Sequence, residues 1–135
     1  AAREQDNRYL IDEVVYAEPQ KPVYRSVSRY HQLDEYMFLD NFVTLYAIQE
    51  YPAPIVLSLL RLLRAARFFR RENVRWGWSS HTRAPGWLDC ALAARLGATV
   101  IEKHLALARS DPEGGHSLLP GEFAKMVGRV QAWAR

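Results

Sequence analysis

At 135 residues the chain has room for one domain of ordinary size, and 49% hydrophobic against 24% charged residues place it with globular rather than disordered proteins. A core of this size forms without disulfides, and the single cysteine, Cys90, has no partner in the chain, so a reducing, cytoplasmic setting is expected. The net charge of +3 raises nucleic acid as a ligand, but no basic stretch interleaves with stacking aromatics, and no run is apolar and long enough to span a bilayer. Arg61, Arg64, Arg67, Arg70 and Arg71 fall within one expected helix and read as its solvated side. The sequence opens on Ala followed at once by charged residues, without a signal-peptide pattern, as expected of a piece of a longer reading frame.

In chain order, Tyr9, Leu10, Ile11, Val14 and Val15 have helical spacing, and Pro19 ends that segment. Residues 22–28 read as a short strand. Residues 33–39 have a helical pattern, and Asp40-Asn41 is a turn. The run Phe42–Ile48, rich in β-branched and aromatic residues, is the clearest strand. After the break at Tyr51-Pro52-Ala53-Pro54 a helix is expected from Ile55 to Arg71, with Val56, Leu59, Leu60, Leu63 and Ala66 on its apolar stripe.

Residues 74–80 form the next strand, and Arg83-Ala84-Pro85-Gly86 a loop. A helix over Leu88–Leu96 closes at Gly97, which suits the left-handed position past a helix end. Thr99-Val100-Ile101 opens a strand running toward His104, and Ser110–Gly115 is a loop. A last helix starts near Pro120 and presents Phe123, Met126, Val127, Val130 and Trp133 on one side. Four β-like runs alternating with helices predict an α/β fold with a parallel sheet. Four such units make half of an eight-stranded barrel, and the same count suits a small open sheet.

In parallel α/β folds ligands bind at the C-terminal ends of strands. That rule selects four places: Ser26–Ser28, Ile48–Pro52, Ser79–Thr82 and Glu102–His104. Two carry a histidine. Neighbouring strands lie about 4.8 Å apart, so His81 and His104 can reach one cation. Two imidazoles with open positions suit Mn, Co, Zn or Fe better than Mg. Either histidine taken singly is as well explained by a hydrogen bond to a loop carbonyl.

Ser79-Ser80-His81-Thr82 resembles the Ser-Asp-His-Thr motif of the N-acetylneuraminate (sialic acid) synthase family. Gly97-Ala98-Thr99-Val100-Ile101-Glu102-Lys103-His104 is similar to that family's Gly-Ala-x-x-Ile-Glu-Lys-His segment. Tyr51-Pro52 resembles its Cys-Thr-Ser-x-Tyr-Pro turn, Lys21-Pro22-Val23 its Lys-Pro-Val, and Ser117–Phe123 its Ser-Leu-x-Pro-x-Glu-Phe. The five follow in family order along nearly the whole chain. The resemblance implies a partial (β/α)8 TIM barrel of about four βα units, residues 1–135 being the C-terminal half of that barrel. The N-terminal half and the family's antifreeze-like domain have no counterpart here.

The resemblance further implies condensation of phosphoenolpyruvate with an N-acetylated amino sugar such as N-acetylmannosamine to give a nonulosonic acid. It makes His81 and His104 ligands of a divalent metal, foremost Mn, with Mg or Co as alternatives. Ser79 would contact the phosphoenolpyruvate phosphate, Gln49 stands where the family has a phosphate-contacting Asn or Ser, and Tyr51 would line the sugar site. Each also has a plainer reading: Ser79 as a turn hydroxyl, Gln49 as a solvated side chain, Tyr51 as a ring packed before Pro52. The family's catalytic Glu and its lysines lie outside these residues. An isolated half barrel exposes strand edges, so self-association or pairing with the other barrel half is expected.

The departures from the family pattern define a second reading. Ser80 replaces an Asp, which removes a carboxylate beside the metal histidine. Ile48 and Gln49 replace small polar residues, and Val27-Ser28 replaces Thr-Gly. The family's Gly-x-Asp-His stretch is shortened around Gly114-Gly115-His116 and its sugar-binding Asp is not evident, leaving Asp111, Glu113 or His116 to substitute for it. On that reading the chain is a degenerate, non-catalytic barrel piece that acts as a binding or assembly module.

Overall fold

The computed structural model describes residues 14–83 and 85–134. The expected helix around Tyr9–Val15 therefore falls mostly outside the described residues, as does Ala84; residues 14–17 are helical. The chain then runs β1 (Val23–Val27), β2 (Phe42–Ala47), α1 (Ile55–Glu72), β3 (Trp76–Ser80), α2 (Leu88–Arg95), β4 (Val100–Lys103) and α3 (Pro120–Trp133). The four strands form one parallel sheet in sequential order, β1-β2-β3-β4. Strands ordered one after another with helical crossovers are the repeating unit of a (β/α)8 barrel, and this sheet is part of one.

The inner strands explain the strand-like runs of the sequence. Every residue of β2 and β3 is buried, as strands covered on both faces must be. Period-two alternation divides each strand between a helix side and a barrel side. On the helix side Tyr46 stacks on Trp78 with centroids 6.2 Å apart, and Trp76 stacks on Phe69 of α1 at 5.5 Å. Val27, Leu62, Ala65, Ala66 and Ala93 complete that core.

Gly77 lies on the barrel side, opposite Leu45 in β2 and Val100 in β4. A Cβ there would sit 2.4 Å from Leu45 Cδ2 and 2.7 Å from the Val100 carbonyl oxygen, so only glycine fits between the two strands.

The helix ends match their sequence signals. Gly97 has φ 99°, and the Ala98 N–H donates to the Ala93 carbonyl at 2.9 Å, closing α2 as expected. Asn73, at φ 55°, ends α1 in the same left-handed region, with Arg70 and Arg71 in its last turn. On α3, Met126 is buried, and Phe123, Val127 and Val130 pack beside it against Cys90 and Leu118. That is the expected stripe.

Two expectations are corrected. Residues 33–39 do not form an α-helix: the 3-10 turn Glu35–Phe38 occupies the segment, and another, Tyr30–Gln32, precedes it. The Asp34 carboxylate, ion-paired with Arg25, accepts the Tyr36 N–H at 3.3 Å and starts the second turn. The buried stripe of α1 is Ser58, Leu62, Ala65, Ala66 and Phe69. Val56 and Leu60 are 67% and 53% exposed and Leu63 is also exposed, while the five arginines are on the solvated side as expected. The buried face is thus turned from the expected stripe and mixes Leu62 and Phe69 with Ser58, Ala65 and Ala66.

Replacing Gly77 by Ala should lower stability by about 1–3 kcal/mol, the usual cost of overpacking. Urea unfolding would show a lower midpoint at unchanged slope. A loss under about 0.5 kcal/mol would mean that β2 and β4 part without cost.

Candidate functional site

The register sets the site. Ser79 pairs with Ala47 and Glu102, and Ser80 with Lys103, so His81 and His104 follow at the same level past the ends of β3 and β4. Alternation places Ser79, His81, Glu102 and His104 on the barrel side. A pocket of about 190 Å³ opens there, lined by Ser28, Gln49, Tyr51, Ser79, His81 and His104 among others. All five site residues expected from sequence thus line one cavity.

His81 is 4% exposed and held at both ring nitrogens. Its Nδ1 lies 2.5 Å from the Ile48 carbonyl oxygen, which can only accept, so Nδ1 carries the proton. The lone pair is then on Nε2, which faces the barrel side and takes a 3.3 Å contact from the Ser79 hydroxyl. Burial pushes the His81 pKa below its ordinary value, against the pull of the Ile48 carbonyl, and favours the neutral ring.

His104 repeats the arrangement. Its Nδ1 donates to Glu113 Oε2 at 2.6 Å, leaving Nε2 free, with Glu102 Oε1 3.8 Å from it. The hydrogen bond with His104 holds the Glu113 carboxyl below the usual range. The His81 and His104 ring centroids are 5.3 Å apart. Metal-bound histidines give their other N–H to a carbonyl or carboxylate in this way. With metal–nitrogen bonds of about 2.1 Å, two imidazoles sharing an ion have centroids roughly 4.6–5.3 Å apart. The donor set fits a divalent cation.

Tyr51 is 54% exposed, and its ring lies 4.1 Å from that of His81 and 6.1 Å from that of His104. It lines the pocket and packs against the histidine rings. Ser79 is buried at the pocket floor, whereas Gln49 is exposed at the rim.

The substitutions at Ser80 and Ile48 bear differently on the site from what their sequence positions suggest. Ser80 is on the helix side: its hydroxyl is 3.2 Å from Thr82 Oγ1 and accepts from Lys103 Nζ at 3.1 Å. Its exchange for Asp takes no carboxylate from between the histidines. Ile48 turns its side chain to the core and offers the site its carbonyl.

Behind the histidines lies a buried network that sequence reasoning missed. Asp89 of α2 is fully buried and accepts from Trp78 Nε1 and from Thr82 Oγ1, both at 2.9 Å. Lys103 Nζ donates to the Thr82 carbonyl as well as to Ser80. Burial lowers the Lys103 pKa and lifts that of Cys90 to about 12, so this thiol stays protonated. The one signal for the network was an acid in the apolar run Trp87–Leu92, which reads equally well as a first-turn charge meeting the helix dipole. Its effect is positional, since it ties both strand ends that carry histidines to the helix layer.

Residues 24–135 match the sequence model of the NeuB family. The chain is 36% identical over 97 residues to the spore coat polysaccharide biosynthesis protein SpsE of Bacillus subtilis, an overlap of 68% of this chain and 25% of that protein. It thus spans about a quarter of the length of the curated relative it matches. Among solved structures it is similar to a putative spore coat polysaccharide biosynthesis protein E from Chromobacterium violaceum, with a TM-score of 0.75 and 24% identity over 98% of this chain and 41% of the other. A sialic acid synthetase from Leptospira borgpetersenii gives a TM-score of 0.70 at 22% identity, covering 95% of this chain and 46% of the other.

Asp89→Ala leaves two buried donors unpaired and should cost about 2–4 kcal/mol. Guanidinium unfolding followed by tryptophan fluorescence measures it. Asp89→Asn, which keeps an acceptor oxygen, should retain part of the loss.

Proposed function

Because the chain belongs to the NeuB family, we propose that it supplies the cation-holding and phosphate-facing side of a sialic acid synthase-type active site. The proposed reaction joins C3 of phosphoenolpyruvate to the aldehyde carbon of an open-chain N-acetylated amino sugar such as N-acetylmannosamine. The new C–C bond forms from the enol π electrons. Water adds at C2 of the pyruvyl unit, and phosphate departs with cleavage of its C–O bond, leaving a nonulosonic acid.

One observation supports this reading most. The Ile48 carbonyl and the Glu113 carboxylate take the Nδ1 protons of His81 and His104, so both Nε2 lone pairs point away from those anchors, that of His81 meeting only the Ser79 hydroxyl at 3.3 Å. Neutral, oriented imidazoles are what a metal site needs before any ion arrives. His81 and His104 would hold a divalent cation, foremost Mn, whose chemistry in the site is Lewis-acid polarisation of a carbonyl oxygen. The chain's own side chains position the reactants. The Ser79 hydroxyl, on the pocket floor beside His81, would donate to the phosphoenolpyruvate phosphate. Gln49 at the rim would offer its amide N–H to the same group. The Tyr51 ring, packed against three imidazoles, would line the sugar side.

The second reading, a barrel piece that binds without catalysis, rests on the exchange of a small polar residue for Gln49. The exchange at Ser80 no longer favours it, because that side chain faces the helices.

The test is phosphate release from phosphoenolpyruvate with N-acetylmannosamine and Mn(II), with and without an added N-terminal barrel half. Turnover on complementation is expected. His81→Ala and His104→Ala should each reduce it by at least about a hundredfold, beyond the 10–100-fold typical of outer metal partners. Cation binding without turnover in either mixture favours the binding module. Full turnover in either alanine variant overturns the assignment of the histidines.

A further inference from the structure

Two strand ends that share an ion must keep their separation, and the backbone ladder stops short of both histidines. The pairing of β3 with β4 ends at Ser80 and Lys103, and His81 and His104 lie one residue beyond it. Their ring centroids are 5.3 Å apart, at the top of the roughly 4.6–5.3 Å expected of imidazoles on a common ion. A site of this kind tolerates misplacement of about 0.5 Å. A small parting of the strand ends would therefore put the rings out of common reach.

Each histidine is anchored on its own side. The Leu118 N–H donates to the His104 carbonyl at 3.0 Å, and the Glu113 carboxylate takes the Nδ1 proton of that ring. Arg109 steadies the loop between them: it donates to the Gly114 carbonyl at 3.0 Å and to the Ser117 carbonyl at 2.7 Å, bracketing His116. Its other nitrogen grips both oxygens of Glu122 on α3. His81 is tied instead toward β2, with its ring on the Ile48 carbonyl and its own carbonyl accepting the Ala53 N–H at 2.9 Å. These anchors orient the two rings and leave the distance between them open.

Lys103 closes that gap. It is the residue before His104, and its ammonium donates to the Ser80 hydroxyl at 3.1 Å and to the Thr82 carbonyl, on either side of His81. Ser80 Oγ is in turn 3.2 Å from Thr82 Oγ1, which donates to Asp89 Oδ1 at 2.9 Å. Alternation sends the Lys103 side chain to the helix side while His104 faces the cavity. The link thus runs behind the imidazoles and takes none of the space between them.

We propose that Lys103 is a positioning residue of the cation site: its ammonium, bonded on both sides of His81, sets the spacing of the two imidazoles and with it the affinity for the ion. This inference rests on the proposed cation site at His81 and His104 and deepens it. Lys103 touches neither the ion nor the reactants and acts through the strand end that it straddles.

The test compares Lys103→Met, which keeps the length of the side chain and removes its donors, with Lys103→Gln, whose amide is too short to span both partners. Co(II) titration followed by visible absorption gives affinity, pulsed electron paramagnetic resonance of the Mn(II)-loaded protein counts coordinated imidazoles, and cation-free melting curves report folding. Methionine spares the protein the desolvation of an ammonium, so cation-free stability should change little. Wild type should show two imidazoles. Both variants should bind Co(II) at least about tenfold more weakly, with a displaced Co(II) spectrum, and Lys103→Met should show fewer than two imidazoles per Mn(II). Wild-type affinity in either folded variant overturns the positioning role and leaves the His81–His104 site standing. Variants that do not fold, or that lose affinity only in step with cation-free stability, mark Lys103 as a residue of the fold and overturn the role as well. Failure of the wild type to bind either ion overturns both readings.

Discussion

The site depends on the register of β3 against β4. Ser80 faces Lys103, so the next residues up, His81 and His104, come level on strands whose side chains point the same way. A slip of one residue would send one imidazole to the helix layer, because side chains alternate with period two. Gly77 lets β3 lie close to both neighbours, and the Asp89 network fastens the strand ends from behind. The hydrogen bond from His81 to the Ile48 carbonyl adds the third strand, joining the end of β2 to the imidazole that faces the cavity.

The two faces of β3 divide the work. One carries Gly77, Ser79 and His81, small or polar, toward the cavity. The other carries Trp76, Trp78, Ser80 and Thr82 toward the helices, with hydroxyls answering Asp89 and Lys103. This division changes the meaning of the departure at Ser80. The residue sits next to a site histidine in sequence and on the far side of the sheet in space. A carboxylate at that point would face Lys103 and the buried Asp89.

Much of the fold was legible because it rests on local signals. Strand runs, the glycine after α2 and the apolar side of α3 each follow from residues within one element. The strand-end histidines were legible because the ligand position in parallel folds is general and the strand ends were well marked. The stripe of α1 was not, since the helix carries apolar residues on more than one side and periodicity alone does not say which side meets the sheet. Ser58, Leu62, Ala65, Ala66 and Phe69 are buried, while Val56 and Leu60 face outward. Asp89 was hidden because an acid at a helix start has an ordinary explanation. The places of Glu113 and His116 depend on Arg109 reaching Glu122 across 13 positions, a contact no window of sequence displays.

That reach makes the β4–α3 connection a cassette. One guanidinium measures the loop against two of its own carbonyls and against the first turn of the next helix, so its length and the positions of the residues within it are indexed to a single side chain. Loops of different length from relatives would transplant as a unit only if the arginine and its glutamate travelled with them. Exchanging the residues between these two anchors, at constant length, is the route by which such a barrel can change what it grips while its staves stay as they are.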